Sequence, residues 1–176
     1  MTIPGDSSIG PTFGGELVLA GLGGLDFSWA SDGSFSYGPS ITQSQKNQIN
    51  SVYLAHNPVT SKLLDYSETV RYNTECLTGI TIGGVFIQTD LQSQQALHAV
   101  YTYCQIHTGI TIQWKLPDFT FHSFTAAEIS HVFDVTNGFV QSCFNMESTV
   151  NGNIKNGTIT TNAQIDSQYA TIVRVF

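Results

Sequence analysis

Cysteine and histidine are the side chains of this sequence best suited to chemistry, and both are scattered. Cys104 and His107 stand three residues apart, and His131 and Cys143 stand twelve apart. A thiol beside an imidazole can work as a nucleophile–base pair, because the imidazole takes the proton and leaves a reactive thiolate. Such partners need not be neighbours in sequence, so these two pairs are the candidate dyads. His56, His98 and His122 complete the five histidines, and Cys76 completes the three cysteines. The sequence contains no Cys-x-x-Cys, no His-Glu-x-x-His and no Gly-x-Ser-x-Gly, the spacings that zinc sites and hydrolase elbows use. Gly21-Leu22-Gly23-Gly24 lacks the third glycine of a dinucleotide fingerprint and opens no helix. Each cysteine sits among apolar residues at helical spacing, which reads as a free buried thiol. The expectation is no catalytic residue, no metal ligand and no cofactor.

Two other groups of residues carry weaker signals. Asn156-Gly157-Thr158 has the form of a glycosylation acceptor, but it reads as a turn at a helix end. Trp29 near Asp32 pairs an aromatic face with a carboxylate, as sugar-binding surfaces do.

Composition narrows the partners. The chain has 176 residues, enough to bury a core without disulfides. Six basic residues against thirteen acidic ones give a formal net charge of −7. Nucleic-acid binding needs a basic surface, so no nucleic-acid partner is expected. The apolar stretch Leu17 to Leu25 is short and broken by glycine, so no membrane insertion is expected. Charged residues make up only 11% of the chain. Ser, Thr, Asn, Gln and Gly carry the polarity instead, a bias common in extracellular fibres and virus particles.

The positioning elements divide the sequence into three parts: a glycine-rich arm over 1–40, a connecting helix over 41–60, and an α+β domain over 61–176. The arm holds nine of the sixteen glycines, so ordering it costs much backbone entropy. Phe27 and Trp29 alternate before Asp32-Gly33, and Phe35 and Tyr37 alternate after it, which predicts a β-hairpin. No helix is expected in the arm. A helix is predicted over 41–56, with Ser40 and Gln43 at capping-box spacing, and a second over 61–77. The second carries Leu63, Tyr66, Val70, Asn73 and Leu77 as its seam.

The pentapeptide Thr-Gly-Ile-Thr-Ile occurs at 78–82 and again at 108–112. Each copy reads as a helix stop on glycine fused to the start of a β-branched strand. The first strand turns at Gly83-Gly84, and Thr89 with Gln92 caps the next helix, whose apolar face is Leu97, Val100, Tyr101 and Cys104. The second strand, through Trp114, turns at Pro117-Asp118 and returns through Phe119, Phe121 and Phe124. Thr125 and Glu128 form a capping box, stapled by Phe124 and Ile129, for a long helix. Gly138 interrupts that helix, which suggests close packing or a bend. Thr161 and Gln164 cap a last short helix. The two hairpins are expected to form one antiparallel sheet packed on helices, with Trp114, Phe121, Phe133, Val140 and Phe144 buried together.

From Ser61 onward the sequence resembles the domain of unknown function 4376 found in tail proteins of tailed bacteriophages. The resemblance rests on GGVFIQTDLQSQ (Gly83 to Gln94), WKLPD (Trp114 to Asp118) and FTAAEISHVFDVTNGFVQSCF (Phe124 to Phe144). It implies a virion setting in a phage tail, synthesis in the host cytoplasm, and no known active site. Its implied partners are other phage tail proteins and copies of the chain itself.

Three function classes follow: a structural subunit of a tail, baseplate or tail fibre; an assembly factor for tail fibres; and a receptor-binding tip contacting a host-surface glycan. The arm favours the first. Its large apolar residues Phe13, Leu17, Leu25, Phe27, Trp29, Phe35 and Tyr37 are expected to be ordered by docking on neighbouring subunits.

Overall fold

The computed structural model describes residues 9–107 and 109–176. The first eight residues of the arm, and Thr108 of the second repeated pentapeptide, lie outside the described residues. In chain order the elements are α1 (Phe13–Leu19), β1 (Phe27–Trp29), β2 (Phe35–Tyr37), α2 (Gln43–Ala55), α3 (Pro58–Leu77), β3 (Ile80–Ile82), β4 (Val85–Ile87), α4 (Leu91–Ile106), β5 (Thr111–Lys115), β6 (Phe121–Thr125), α5 (Ala126–Lys155) and α6 (Asn162–Tyr169). The fold is α+β. Its strands form three separate two-stranded antiparallel ladders among the described residues, where β3–β4 and β5–β6 were expected to join in one sheet. The chain divides into two compact units. One holds residues up to Tyr66 together with Ile154–Thr161, and the other holds Ser67–Asn153 and Asn162–Phe176.

The first unit corrects the expectation for the arm. A helix forms there, α1, and it brings Phe13 and Leu17 into a cluster with Leu22 and Ile49 of α2. Leu25, Phe27, Phe35 and Tyr37 pack against that cluster. The expected hairpin is present, with Phe27 opposite Tyr37 and Trp29 opposite Phe35. Gly33 turns it with φ of 86°. Phe13 meets Trp29 edge-on, with ring centroids 5.4 Å apart. The apolar surface needed to offset the entropy of the glycine-rich segment is therefore found inside the chain. The cap of α2 also lies two residues later than expected. Thr42 and Gln45 form the capping box. Proline then starts α3 as its first residue, where a missing N–H is harmless, and the Asn57 side chain accepts from the Val59 and Thr60 amides.

In the second unit both glycine stops take positive φ, 65° at Gly79 and 80° at Gly109. Gly83 and Gly84 are both at positive φ as well, the signature of a two-residue hairpin turn. The chain end joins β3 in parallel. Thr81 donates to Arg174 O, Phe176 donates back to Thr81 O, and Gly83 donates to Phe176 O. The cap of α4 is Asp90, which accepts from Ser93 N. Thr89, expected to cap, is buried and donates its hydroxyl to Glu75 O. At α5 the Thr125–Glu128 box forms as expected.

The apolar face expected for α5 was Ile129, Val132, Phe133, Val140, Cys143, Phe144 and Val150, and the structure buries four of these, Ile129, Val132, Cys143 and Val150. Ile129, Val132, Thr136, Phe139, Cys143 and Val150 are buried, spaced by three and four residues and then by seven, which places them on one stripe. Phe133 and Val140 are half-buried at its edge, and Phe144 is 46% exposed. Phe121 is 63% exposed because it pairs with Lys115, on the opposite face of the hairpin from Trp114 and Phe124. Period two puts His122, not Phe121, beside Trp114. The expected α3 seam also fails. Leu77 is exposed, and the buried positions are Ser61, Leu63, Ser67, Thr74, Glu75 and Cys76.

Phe13→Ala is expected to destabilise the first unit by roughly 3–5 kcal/mol. Urea unfolding followed by near-ultraviolet circular dichroism and by Trp29 fluorescence measures this directly. A loss below 1 kcal/mol would show that this cluster does not hold the arm.

Candidate functional site

Two polar clusters and two surface features deserve chemical scrutiny. The largest cluster surrounds Glu75 in the second unit. Arg71 and Glu75 are one turn apart on α3, so they share a face. Arg71 Nη1 donates to Glu75, and Arg71 Nε donates to Glu147 of α5 at 2.9 Å. The guanidinium also lies 4.7 Å from the centroid of the Phe144 ring. Gln94 Nε2 reaches Glu75 Oε1 at 3.4 Å and Thr89 O at 2.7 Å. Burial alone would lower the Arg71 pKa, but hydrogen bonding to Glu75 and the charge of Glu147 outweigh it and hold the group above its ordinary value. Cys143 is fully buried in the same unit. Burial, then the Glu75 charge, pushes its thiol up to about 11. Tyr169 donates to Ser67 O at 3.2 Å, and burial pushes its hydroxyl up to about 12. Arg174 Nε is buried without a hydrogen-bond partner among the described residues.

This arrangement neutralises charge rather than activating a group. A catalytic thiol needs a lowered pKa, a nearby base and access, and Cys143 has none of these. The candidate dyads do not form. His131 is exposed, and twelve residues of helix separate it from Cys143 by about 18 Å. Cys104 is buried while His107 lies exposed against Tyr103, with ring centroids 4.2 Å apart. All three cysteines are free and buried.

The second cluster latches the arm in the first unit. His56 Nδ1 meets the Glu16 carboxylate at 2.9 Å, and His56 Nε2 accepts from Gly10 N at 2.9 Å. An accepting Nε2 fixes the neutral tautomer with its proton on Nδ1. Thr12 Oγ1 donates to Glu16 at 2.7 Å, and Ser61 Oγ accepts from Thr12 N at 2.8 Å. Serine, histidine and glutamate are thus close together, but the imidazole nitrogen that would take a serine proton is occupied by Gly10. A Cβ at Gly10 would lie 2.5 Å from Ser61 Oγ, so only glycine fits there.

The surface features lie in the second unit. In the β5–β6 turn, Phe119 N donates to Leu116 O and Leu116 N donates to Thr120 O. Asp118 Oδ1 accepts from the Thr120 amide and hydroxyl, which holds its carboxyl below the ordinary value. Phe119 stands at φ of 67°, the one non-glycine residue at positive φ among those described, and is 77% exposed. A left-handed conformation costs such a residue on the order of 1–2 kcal/mol. The other feature is an apolar cleft of about 410 Å³ between α5 and the chain end, lined by Val135, Gly138, Phe139, Met146, Ile172 and Phe176 among others. Gly138 lies on it, and an added Cβ there would meet nothing within 4 Å. The close packing expected at this glycine is therefore absent, although glycine in a helix costs about 1 kcal/mol relative to alanine.

The seven residues expected to dock on neighbours fall as follows. Phe13 and Leu17 are buried in the chain's own core, Leu25, Phe27, Phe35 and Tyr37 are half-buried beside it, and Trp29 is 41% exposed. Trp29 borders two shallow clefts, one also lined by Ser31 and the other by Ser28, Ser34 and Ser36. Asp32 turns its carboxylate to Ser34. Sequence reasoning missed the Arg71–Glu75–Glu147 cluster, although the four-residue spacing of Arg71 and Glu75 was its signal. It also missed Phe119, whose signal was an aromatic where a Pro-Asp turn calls for glycine. Asn156 accepts from Thr158 N in a turn at the end of α5, as expected.

These features define a small α+β domain in which helix stops feed hairpins, the buried Glu75 and His56 are paired, and several large apolar side chains face outward. The chain belongs to the family described as a domain of unknown function (DUF4376), whose model matches residues 63–171. None of the curated proteins and none of the solved structures matches it. No three of His, Cys, Asp and Glu converge as metal ligands among the described residues, and no helix there is long and apolar enough to cross a membrane.

Two measurements follow. Glu75→Ala removes the more deeply buried partner of Arg71, leaving it Glu147, and should cost roughly 3 kcal/mol, against a smaller loss for Glu147→Ala, in the more exposed partner. Equal losses would show that Glu75 is not the dominant partner. The second concerns alkaline pH. Cys143 and Tyr169 rise from 9.0 and 10.0 to about 11 and about 12, so the folded state keeps protons that the unfolded chain releases. Their contribution is complete below the unfolded values and is lost as pH rises through the folded ones. The urea midpoint should fall between pH 9 and 12, and Cys143→Ala should flatten the early part of that fall.

Proposed function

We propose that this chain is a structural, non-enzymatic virion protein of a tailed bacteriophage, part of the tail, baseplate or tail fibre, working through contacts rather than chemistry. The tail setting rests on the sequence resemblance. The observation that carries the contact role is the outward display of large apolar groups in a chain whose polar clusters are internally satisfied. Leu77, Ile106, Phe119, Phe121 and Val175 are each more than 60% exposed. Phe119 and Phe121 stand together at one hairpin, and exposed apolar groups gathered in this way mark interaction sites. Other tail proteins and further copies of this chain are the partners this reading supplies. Mass spectrometry of purified particles tests it, combined with cross-linking to identify the neighbour. Stoichiometric recovery with the particle is expected; absence would favour a tail-fibre assembly factor.

One observation favours a second reading, contact with a host-surface glycan. Trp29 is exposed between two shallow clefts rimmed by serine hydroxyls. Quenching of Trp29 fluorescence by soluble host glycans, lost in Trp29→Ala, is the expected result under that reading; no quenching would remove it.

A further inference from the structure

We propose that Phe119 of one copy seats in the Gly138 cleft of another, so that copies of this chain associate head to tail. The inference rests on the reading of this protein as a contact-making one and names a partner and a surface for it. Two positions of the second unit break local rules, and the Lys115 ammonium beside Phe119 is the local contact that either gains. A turn position that favours glycine holds a phenylalanine that projects into solvent. A helix position that favours a side chain holds a glycine with empty space where a Cβ would be. The first makes an apolar knob, extended by Phe121, and the second opens the cleft beside Phe139, Met146 and Ile172. At about 410 Å³ the cleft has the size of sites that enclose an aromatic group with its neighbours.

Within one chain the knob stays in solvent and the cleft stays open, so a second copy supplies the match. The charges agree with this pairing. Lys115 Nζ lies 4.7 Å from the centroid of the Phe119 ring, and exposed Asp134 stands one turn before Gly138 on α5. Knob and cleft are different surfaces, so the contact is heterologous, and repetition builds a ring or a filament rather than a closed pair.

The test uses the full chain and two variants expected to fold at least as well as the parent. Phe119→Gly removes the knob and relieves the strained φ. Gly138→Leu fills the cleft with a better helix former. Sedimentation velocity from micromolar to sub-millimolar concentration should show wild-type chains associating and both variants remaining monomeric, with Tm equal to or above wild type. Mixed together, the variants should form a one-to-one complex, because one retains the cleft and the other retains the knob. Phe119→Tyr should associate as wild type does. Wild-type chains that stay monomeric throughout would overturn the proposal, as would undiminished association of Phe119→Gly or failure of the two variants to pair. Incorporation of monomeric chains into particles would overturn this contact while leaving the structural role standing.

Discussion

Glu75 is a carboxylate held at 4% exposure in the last turn of α3, and leaving such a charge unpaired costs several kcal/mol. Its partners come from three elements. Arg71 lies one turn earlier on α3 and reaches Glu147 on α5. Gln94 approaches from α4, and Thr89 binds the Glu75 carbonyl from the segment just before α4. Satisfying one buried anion therefore fixes the approach of α3, α4 and α5 within the second unit. Apolar packing would tolerate small slips between these helices; a fixed set of hydrogen bonds tolerates far fewer. The raised pKa of Cys143 belongs to the same environment, since burial and the Glu75 charge both oppose a thiolate.

The hairpins depend on what lies beside them. A two-stranded hairpin alone is marginal in water, and none of these three joins another. Each finds a separate solution. β1–β2 lays Phe27, Phe35 and Tyr37 against the Phe13 cluster. β3 takes the chain end as a parallel neighbour and buries Ile80, Ile82 and Ile87 with β4. β5–β6 buries Phe124 at its base and hands the chain to α5 through the Thr125–Glu128 box. Glycine at the end of α3 makes this economy of chain possible, because a positive φ lets a strand begin at once.

Punctuation was the legible part of the sequence. Gly79, Gly109, Gly83-Gly84, Asp32-Gly33 and the Thr125 box all act locally, and each lies where its residue type predicts. The centres of α4 and α5 were legible from apolar spacing. The buried face of α3 was not, because Ser67, Thr74 and Glu75 read as polar and their burial depends on partners far along the chain. Thr136 hid the α5 stripe in the same way. The arm misled for a different reason. Its glycine content spoke against a core, yet the short α1 needed only Phe13 and Leu17 to reach Ile49. No local rule reports a contact between residues that far apart. The latch of His56 on Gly10 and Glu16 is equally non-local, and it was invisible for that reason.

Where a chain breaks its own local rules, a return elsewhere is expected. For two polar groups buried in the second unit the return is visible: hydrogen bonds satisfy Glu75, and Tyr169 reaches Ser67; the Thr136 hydroxyl and Arg174 Nε have no partner among the described residues. Gly10 is explained by the close approach of Ser61. Within one chain Phe119 has the Lys115 ammonium beside its ring, and Gly138 has no neighbour that requires it. Neither contributes to the core, and each leaves the fold less stable than the ordinary residue would. The proposed contact with a second copy would supply such a return outside the monomer. That is the physical content of reading this domain as a contact-making one. Its chemistry is closed inward, around Glu75 and His56, and its unspent apolar surface faces out.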